Sequence, residues 1–258
     1  RRVDAARSEK QHPTVRHAMT KISVPIICLE CNPDGSSVGN SVLSSVLLDL
    51  RPDGDGRYRS ECSRGHQQIV ALRQQKFEIL FELAAYAIRD GHYRQSVSSC
   101  TASLEAFHEF FLRAMAYENG IKKERFDAAW KLLGISPQNR QEAYLLNYRN
   151  FCARRPVLLS HQQNDWKDSV MQKGKMPTRE ECVKFGQAVL HVLQTAVGDT
   201  RVAFPNGVKQ AMQEHAAAAE QHASRSEVPW SIRTIVNLAK EDGEHPHATL
   251  EAELARMN

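Results

Sequence analysis

The sequence has no apolar run near the roughly 20 residues that a membrane-spanning helix needs. Its longest, VPIICL and SVLSSVLLDL, fall far short, so no transmembrane segment and no membrane partner are expected. The first 21 residues are basic and polar and lack the apolar stretch of a secretory signal. They read as a flexible basic arm, and the expected location is cytoplasmic. No G-K-[ST] follows the glycines of PDGDGRYRS, which leaves a hairpin turn rather than a phosphate-binding loop, and neither a dinucleotide fingerprint nor a nucleophile elbow occurs. Internal repeats are absent. An excess of one charge is missing too: 34 basic and 30 acidic residues leave +4, too mild for the concentrated basic face typical of nucleic-acid binding.

What is present is an ordinary globular composition, 41% hydrophobic and 25% charged over 258 residues, enough for one large domain or two small ones. Six cysteines are unevenly placed. Cys100, Cys152 and Cys182 are scattered through helical-looking segments with no framework spacing, whereas the other three cluster near the N-terminus with a histidine. Cys28 and Cys31 form a C-x2-C, and Cys62 and His66 form a C-x3-H about thirty residues later. Two thiolates on one turn and a thiolate with an imidazole on another close a tetrahedron around zinc, and such four-ligand sites are structural. Between them, residues 22–66 read as short strands punctuated by turns: VPIICLEC, then Val42 to Leu50, then Arg57 to Glu61 after the Asp53–Gly56 turn signal. This hairpin unit is too small to hold itself together by burial, and a structural Zn2+ supplies the missing folding free energy. Bracing the helix that follows is its expected role.

After His66 the apolar residues recur at helical spacing. Ile69, Leu72, Phe77, Leu80, Leu83, Ala84 and Ala87 make one broad stripe that ends at Gly91, and a second long helix closes at Gly120. Further helices are expected over 124–133, 139–152, 164–173, 178–195 and 208–223. Thr178 and Glu181 make a capping box, with Pro177 at the entry. Residues 198–258, more acidic than the rest, read as a helical C-terminal tail in which Trp230, Ile232, Ile235, Val236 and Leu238 dock a short helix on the bundle or on a second subunit.

Two stretches carry a family resemblance. LAAYAIRDGHYRQSVSSCTASLEAFHEFFLRA resembles the first helix pair of HEPN domains, and WKDSVMQKGKMPTREECVKFGQAVL resembles their signature segment, which places arginine, a polar residue and histidine before a glycine and PT-x-E. The likeness runs from about Gln68 to Thr195. It implies a mainly α fold, a HEPN-like helical bundle over 67–197, here preceded by a zinc-ribbon-like unit with a small zinc-bound β-hairpin. It also implies a homodimer through the face that carries Trp166 to Gly174, and metal-independent endoribonuclease activity of the toxin or antiphage-defence kind. In such sites arginine stabilises phosphate charge and histidine moves protons.

Aligned on KGKMPT, the family's arginine position is Lys167, its polar neighbour Asp168 and its histidine position Gln172. Lysine lacks the planar fork that grips phosphate twice, and glutamine has no proton to exchange. Loss of general acid or base help costs about 10²- to 10⁴-fold. Arg155 and His161 carry the right side chains at nearly the right spacing, but Pro156 interrupts a helix between them. His108 is a further histidine facing either the cleft or the core. Lys173, Lys175 and Arg179, with Lys167, form a basic rim able to hold phosphate without cutting it. Two function classes follow. One is a non-catalytic or weakly active module binding RNA or a protein partner. The other is an endoribonuclease whose chemistry has moved to Arg155, His161 or another histidine.

Overall fold

The stripe of phenylalanines and small residues after Lys76 explains the centre of the molecule. In the computed structural model, which describes residues 21–26, 28, 30–31, 44–49, 57–134, 136–220, 227–239 and 249–257, α1 (Lys76–Arg89) and α2 (Tyr93–Glu118) form a helical hairpin turned at Gly91, whose φ of +79° suits a residue without a Cβ. Phe77 meets Phe107 edge to face at 5.3 Å, and the hydroxyl of buried Ser103 donates to the Phe77 carbonyl at 2.6 Å. The 26-residue α2 is the hub against which the other helices pack.

Around it lie α3 (Lys123–Leu132), α4 (Pro137–Phe151), α5 (His161–Met171), α6 (Arg179–Ala203), α7 (Pro205–Glu220) and α8 (Leu250–Arg256). Tyr144 and Tyr148 of α4 insert between Phe107, Phe111 and Phe204, an aromatic layer with ring centroids 5.0–6.1 Å apart. The molecule is thus mainly helical, and among the described residues no helix is long and apolar enough to cross a membrane.

The strands form two sheets. β1 (Lys21–Ile26) pairs antiparallel with β2 (Ser44–Asp49). β3 (Arg57–Glu61) pairs antiparallel with β4 (Gln67–Leu72), and β4 pairs in parallel with β5 (Glu227–Trp230). The β2–β3 hairpin expected from the sequence is therefore not formed: the two segments belong to separate sheets, and the turn between them lies outside the described residues. The expected basic arm over 1–21 also lies outside them, apart from Lys21.

Three expected boundaries move. Gln67–Leu72 is a strand, not the start of a helix: it pairs with β3 on one side and β5 on the other, and its alternate residues Gln68, Val70 and Leu72 are buried. Ile69 and Leu72 thus leave the helical stripe, and α1 begins only at Lys76. α6 continues through position 198 to Ala203, so the composition shift there is no structural break. The tail is not all helical: β5 joins the sheet beside β4, and the irregular residues 231–239 run on against α1, burying Val236 and Leu238 in the core, while Ile232 packs beside Tyr58, Val70 and Leu72.

Candidate functional site

Strand ends bring the four predicted ligands together. Cys28 follows β1, Cys31 closes the next turn, and Cys62 and His66 flank the loop between β3 and β4. That loop is pinned at both ends: the Cys62 N–H donates to the His66 carbonyl at 3.0 Å and the Gly65 N–H to the Cys62 carbonyl at 2.8 Å, with Gly65 at φ +81°. The four ligand atoms lie within 4.8 Å of one another and can hold a metal ion. Cys31 Sγ is 3.8 Å from Cys62 Sγ and 3.2 Å from His66 Nδ1, and Cys28 Sγ is 3.6 Å from the same nitrogen.

The chemistry of the cluster favours a cation. Burial and its thiol neighbours raise Cys31 to about 11. At Cys62 the upward push of burial is outweighed by the N–H groups of Arg64 and His66 together with the Cys28 and Cys31 thiols, which lower it to about 7; the Arg64 N–H lies 3.4 Å from the sulfur. Glu30, which sequence reading missed, places a carboxylate oxygen 3.6 Å from His66 Nε2, the ring nitrogen turned away from the sulfurs. A carboxylate behind a ligating imidazole fixes its tautomer and orientation. The only sequence signal for it was position, between the two cysteines of the C-x2-C.

The cluster is tied to the helices through β4. Val70 and Leu72 pack on Ile79, Leu80 and Leu83 of α1, and His215 of α7 lies 3.1 Å from the Leu72 carbonyl through Nε2. A metal ion in the loop between β3 and β4 would therefore restrain the strand on which α1 and α7 rest.

The second predicted site spans α5, a turn and α6. Ser160 and Gln163 cap α5 reciprocally, at 3.2 Å and 2.7 Å. Gly174, at φ +74°, reverses the chain, and the expected capping box at Thr178 is formed, with Thr178 N–H donating to Glu181 at 3.0 Å and Glu181 N–H to Thr178 Oγ1 at 3.2 Å. Glu181 also accepts from Lys175 at 2.6 Å and from Trp166 Nε1 at 3.3 Å. Those donors, the Lys175 ammonium first, hold its pKa down at about 2. One carboxylate thus locks α5, the turn and α6 together.

The predicted catalytic side chains do not converge on a titrating group. Lys167 lies 3.3 Å from Asp168 beside it in sequence. Gln172 is the exposed C-terminal cap of α5, five residues on and so about 140° round the helix from Lys167. Arg155 is exposed in the irregular segment between α4 and α5, and His161 is the first residue of α5, 92% exposed and held by Asp165 at 2.8 Å. They share no helix face. His108 is a core residue, stacked on Tyr144 at 4.4 Å, and burial lowers it to about 4. Of the basic rim, Lys175 pairs with Glu181 and Arg179 with Glu251 at 2.7 Å, whereas Lys173 makes no ion pair among the described residues.

Compared with known proteins, the chain matches no family model, no curated protein and no solved structure.

Proposed function

We propose that this chain is a HEPN-like helical binding module, braced by a structural zinc ion and without ribonuclease chemistry of its own. The observation that carries the reading is the pairing of Lys167 with Asp168 and the use of Gln172 as a helix cap, which leaves no imidazole at the signature positions to move a proton. The bundle and its Gly174–Thr178 turn are in keeping with the resemblance, and the surface that remains is a contact surface. Because Lys175 and Arg179 are already engaged by carboxylates, the reading takes a protein partner, first a second copy of this chain, over RNA. Met176, 78% exposed at the turn between them, suits such a contact.

Zinc is the ion that the donor set fits. Around a tetrahedral Zn2+ with sulfur at about 2.3 Å and nitrogen at about 2.0–2.1 Å, sulfurs lie about 3.8 Å apart and a sulfur and a nitrogen about 3.5 Å apart. The distances of 3.8, 3.6 and 3.2 Å between Cys31 and Cys62, Cys28 and His66, and Cys31 and His66 bracket those values. Three thiolates and one imidazole leave no open position for a substrate, so the role is bracing.

The test is incubation of a mixed RNA pool in magnesium-free buffer, with the unmodified protein, a Lys167→Arg/Gln172→His variant and His161→Ala, alongside sedimentation velocity and labelled-RNA binding. The reading expects no cleavage and no salt-dependent RNA binding by the unmodified protein, and a dimer that Met176→Glu weakens. Cleavage abolished by His161→Ala makes the chain an enzyme and overturns it. Cleavage by the double variant alone supports the HEPN-like scaffold.

A further inference from the structure

Gln74, Glu78 and Glu82 recur every four residues, the spacing that stacks side chains along one helix face. All three are turned to residues 231–239 and bond that segment's backbone. Gln74 Nε2 donates to the Ser231 hydroxyl at 2.8 Å and to the Ile232 carbonyl at 2.7 Å, and its Oε1 accepts from the Ile232 N–H at 3.1 Å. The Ile235 N–H donates to Glu82 at 3.0 Å and the Leu238 N–H to Glu78 at 2.8 Å. Beyond β5 this segment has no ladder of its own, so side chains of α1 and its lead-in satisfy its amides.

The two carboxyls are buried with little to favour their charge. Glu78 is 4% exposed and Glu82 6%, and neither forms an ion pair among the described residues. Among the described residues, the charged and titratable groups acting on Glu82 are Arg233 of the segment itself, Glu253 of α8 and Tyr86 of α1, of which only Arg233 is cationic, and Glu78 meets the backbone N–H groups of Gln75 and Leu238. Burial, partly offset by those N–H donors, raises both to about 7. Thr234, in the same segment, buries a hydroxyl that has no hydrogen-bond partner among the described residues, so the fit is not complete.

We propose that residues 231–239 are a proton-latched strap, closed on α1 when Glu78 and Glu82 carry protons and lifted as the two carboxyls ionise. Closing strips water from both groups and returns only one N–H donor to each, from Leu238 to Glu78 and from Ile235 to Glu82; the Gln75 N–H bond to Glu78 is the cap of α1 itself. Lifting restores water to the carboxylates, so opening releases protons and is favoured by base. A carboxyl raised in the closed state stabilises it fully below the ordinary carboxyl range, and that stabilisation is lost as pH rises through about 7. Lifting also uncovers the apolar floor beneath Val236 and Leu238, a surface suited to an extended segment of a partner.

The test is hydrogen exchange of the full chain at pH 6 and pH 8.5, corrected for the intrinsic chemical rate. With closed-state values of about 7 against 4.5 when hydrated, protection of the peptide covering 231–239 falls about tenfold per carboxyl between those pH values. Peptides from α2 and α6 keep theirs. Glu78→Gln/Glu82→Gln keeps one oxygen acceptor on each side chain for the strap N–H, gives up the cap bond from Gln75, and removes the titration, so its strap protection is flat with pH. Strap protection in the unmodified chain that is constant or rises with pH overturns the proposal, as does a slope that survives in the double variant. If the double variant does not fold, Glu82→Gln alone must halve the logarithmic slope.

Discussion

Gly207 of α7 lies against the Ala114 carbonyl of α2 so closely that a Cβ at position 207 would fall 1.9 Å from the carbonyl oxygen. The two helices meet backbone to backbone there, and Glu118 fastens the contact by accepting from the Gly207 N–H at 2.6 Å and from Asn206 Nδ2 at 2.9 Å.

Gly207→Ala therefore has no side-chain rotamer that relieves the clash, since the obstacle is main chain. Overpacking in cores costs about 1–3 kcal/mol, and a backbone clash belongs at the upper end. Urea unfolding should show a loss of about 3 kcal/mol. A variant as stable as the parent would mean that α7 is not docked in this way. At Gly186 the atom in the way is the end of the flexible Leu250 side chain, 2.6 Å from where a Cβ would sit, so Gly186→Ala should cost less.

Metal content is the direct check on the Cys28, Cys31, Cys62 and His66 cluster. Elemental analysis should find about one zinc per chain, and Cys62→Ser should lower that ratio and the unfolding temperature together. Glu30→Gln should leave the stoichiometry intact but weaken zinc binding by about 10- to 100-fold in competition with a chromophoric chelator, as loss of a carboxylate behind a ligating imidazole does. A stable, metal-free protein would remove the bracing role.

How much of this was readable from the chain depends on the range over which each element is determined. The metal ligands were legible because paired Cys and His spacing must satisfy one ion, and the Thr178 capping box because its two partners are three residues apart. α3 to α6 were recovered for the same local reason, with ends that shifted by a few residues and, at the end of α6, by eight. β4 was misread because QQIVAL has an apolar pattern that either a helix or a strand satisfies, and its parallel partner Glu227–Trp230 lies over 150 residues away. The strap was misread as a helix because its amides are satisfied by Gln74, Glu78 and Glu82, which no window around Ile235 contains. α8 went unseen: seven residues capped by Thr249 make too short a pattern, although Leu250 and Leu254 enter the core.

Acid sensitivity should trace to His108. Burial against Tyr144 lowers it from 6.5 to about 4, so the folded state prefers the neutral ring. Its contribution is complete above pH 6.5 and is lost as pH falls through about 4, amounting to roughly 3 kcal/mol across that interval. Glu78 and Glu82 act with the opposite sign, since their raised values favour the folded state as pH falls below 7. Two carboxyls outweigh one ring, so these groups together should raise stability as pH falls from about 7 to 4.5, less steeply than the carboxyls alone would, and the profile should turn down below about 4.5, where His108 and the lowered Glu181 act without them. His108→Phe, which keeps a ring on Tyr144, should shift the acid limb of the thermal-unfolding profile to lower pH, and an unchanged limb would assign that sensitivity elsewhere.

Asp199 of α6 should couple α4 to α6 more strongly than any exposed ion pair does. It accepts from the buried Tyr148 hydroxyl and from Arg154 Nε at 2.7 Å, with a further contact to the guanidinium at 2.6 Å, while its own side chain is only 14% exposed. Burial and this carboxylate together push the Tyr148 hydroxyl far above its ordinary range, so it stays a donor throughout the accessible pH. Hydrogen bonds to a charged group contribute about 1.5–3 kcal/mol, and a buried hydroxyl left alone costs about 1–3 kcal/mol. Asp199→Ala removes the one and creates the other, so it should destabilise by about 3 kcal/mol. Tyr148→Phe leaves Asp199 with Arg154 and should cost about half as much. Arg154→Ala, at a side chain 60% exposed, should cost at most about 1 kcal/mol. The decisive measurement is the double-mutant cycle in urea: once Asp199 is alanine, Tyr148→Phe should cost little or become favourable, because the unpaired hydroxyl disappears. Full additivity of the two substitutions would mean that Tyr148 is held by its stacking on Phe111 at 5.4 Å and not by the carboxylate.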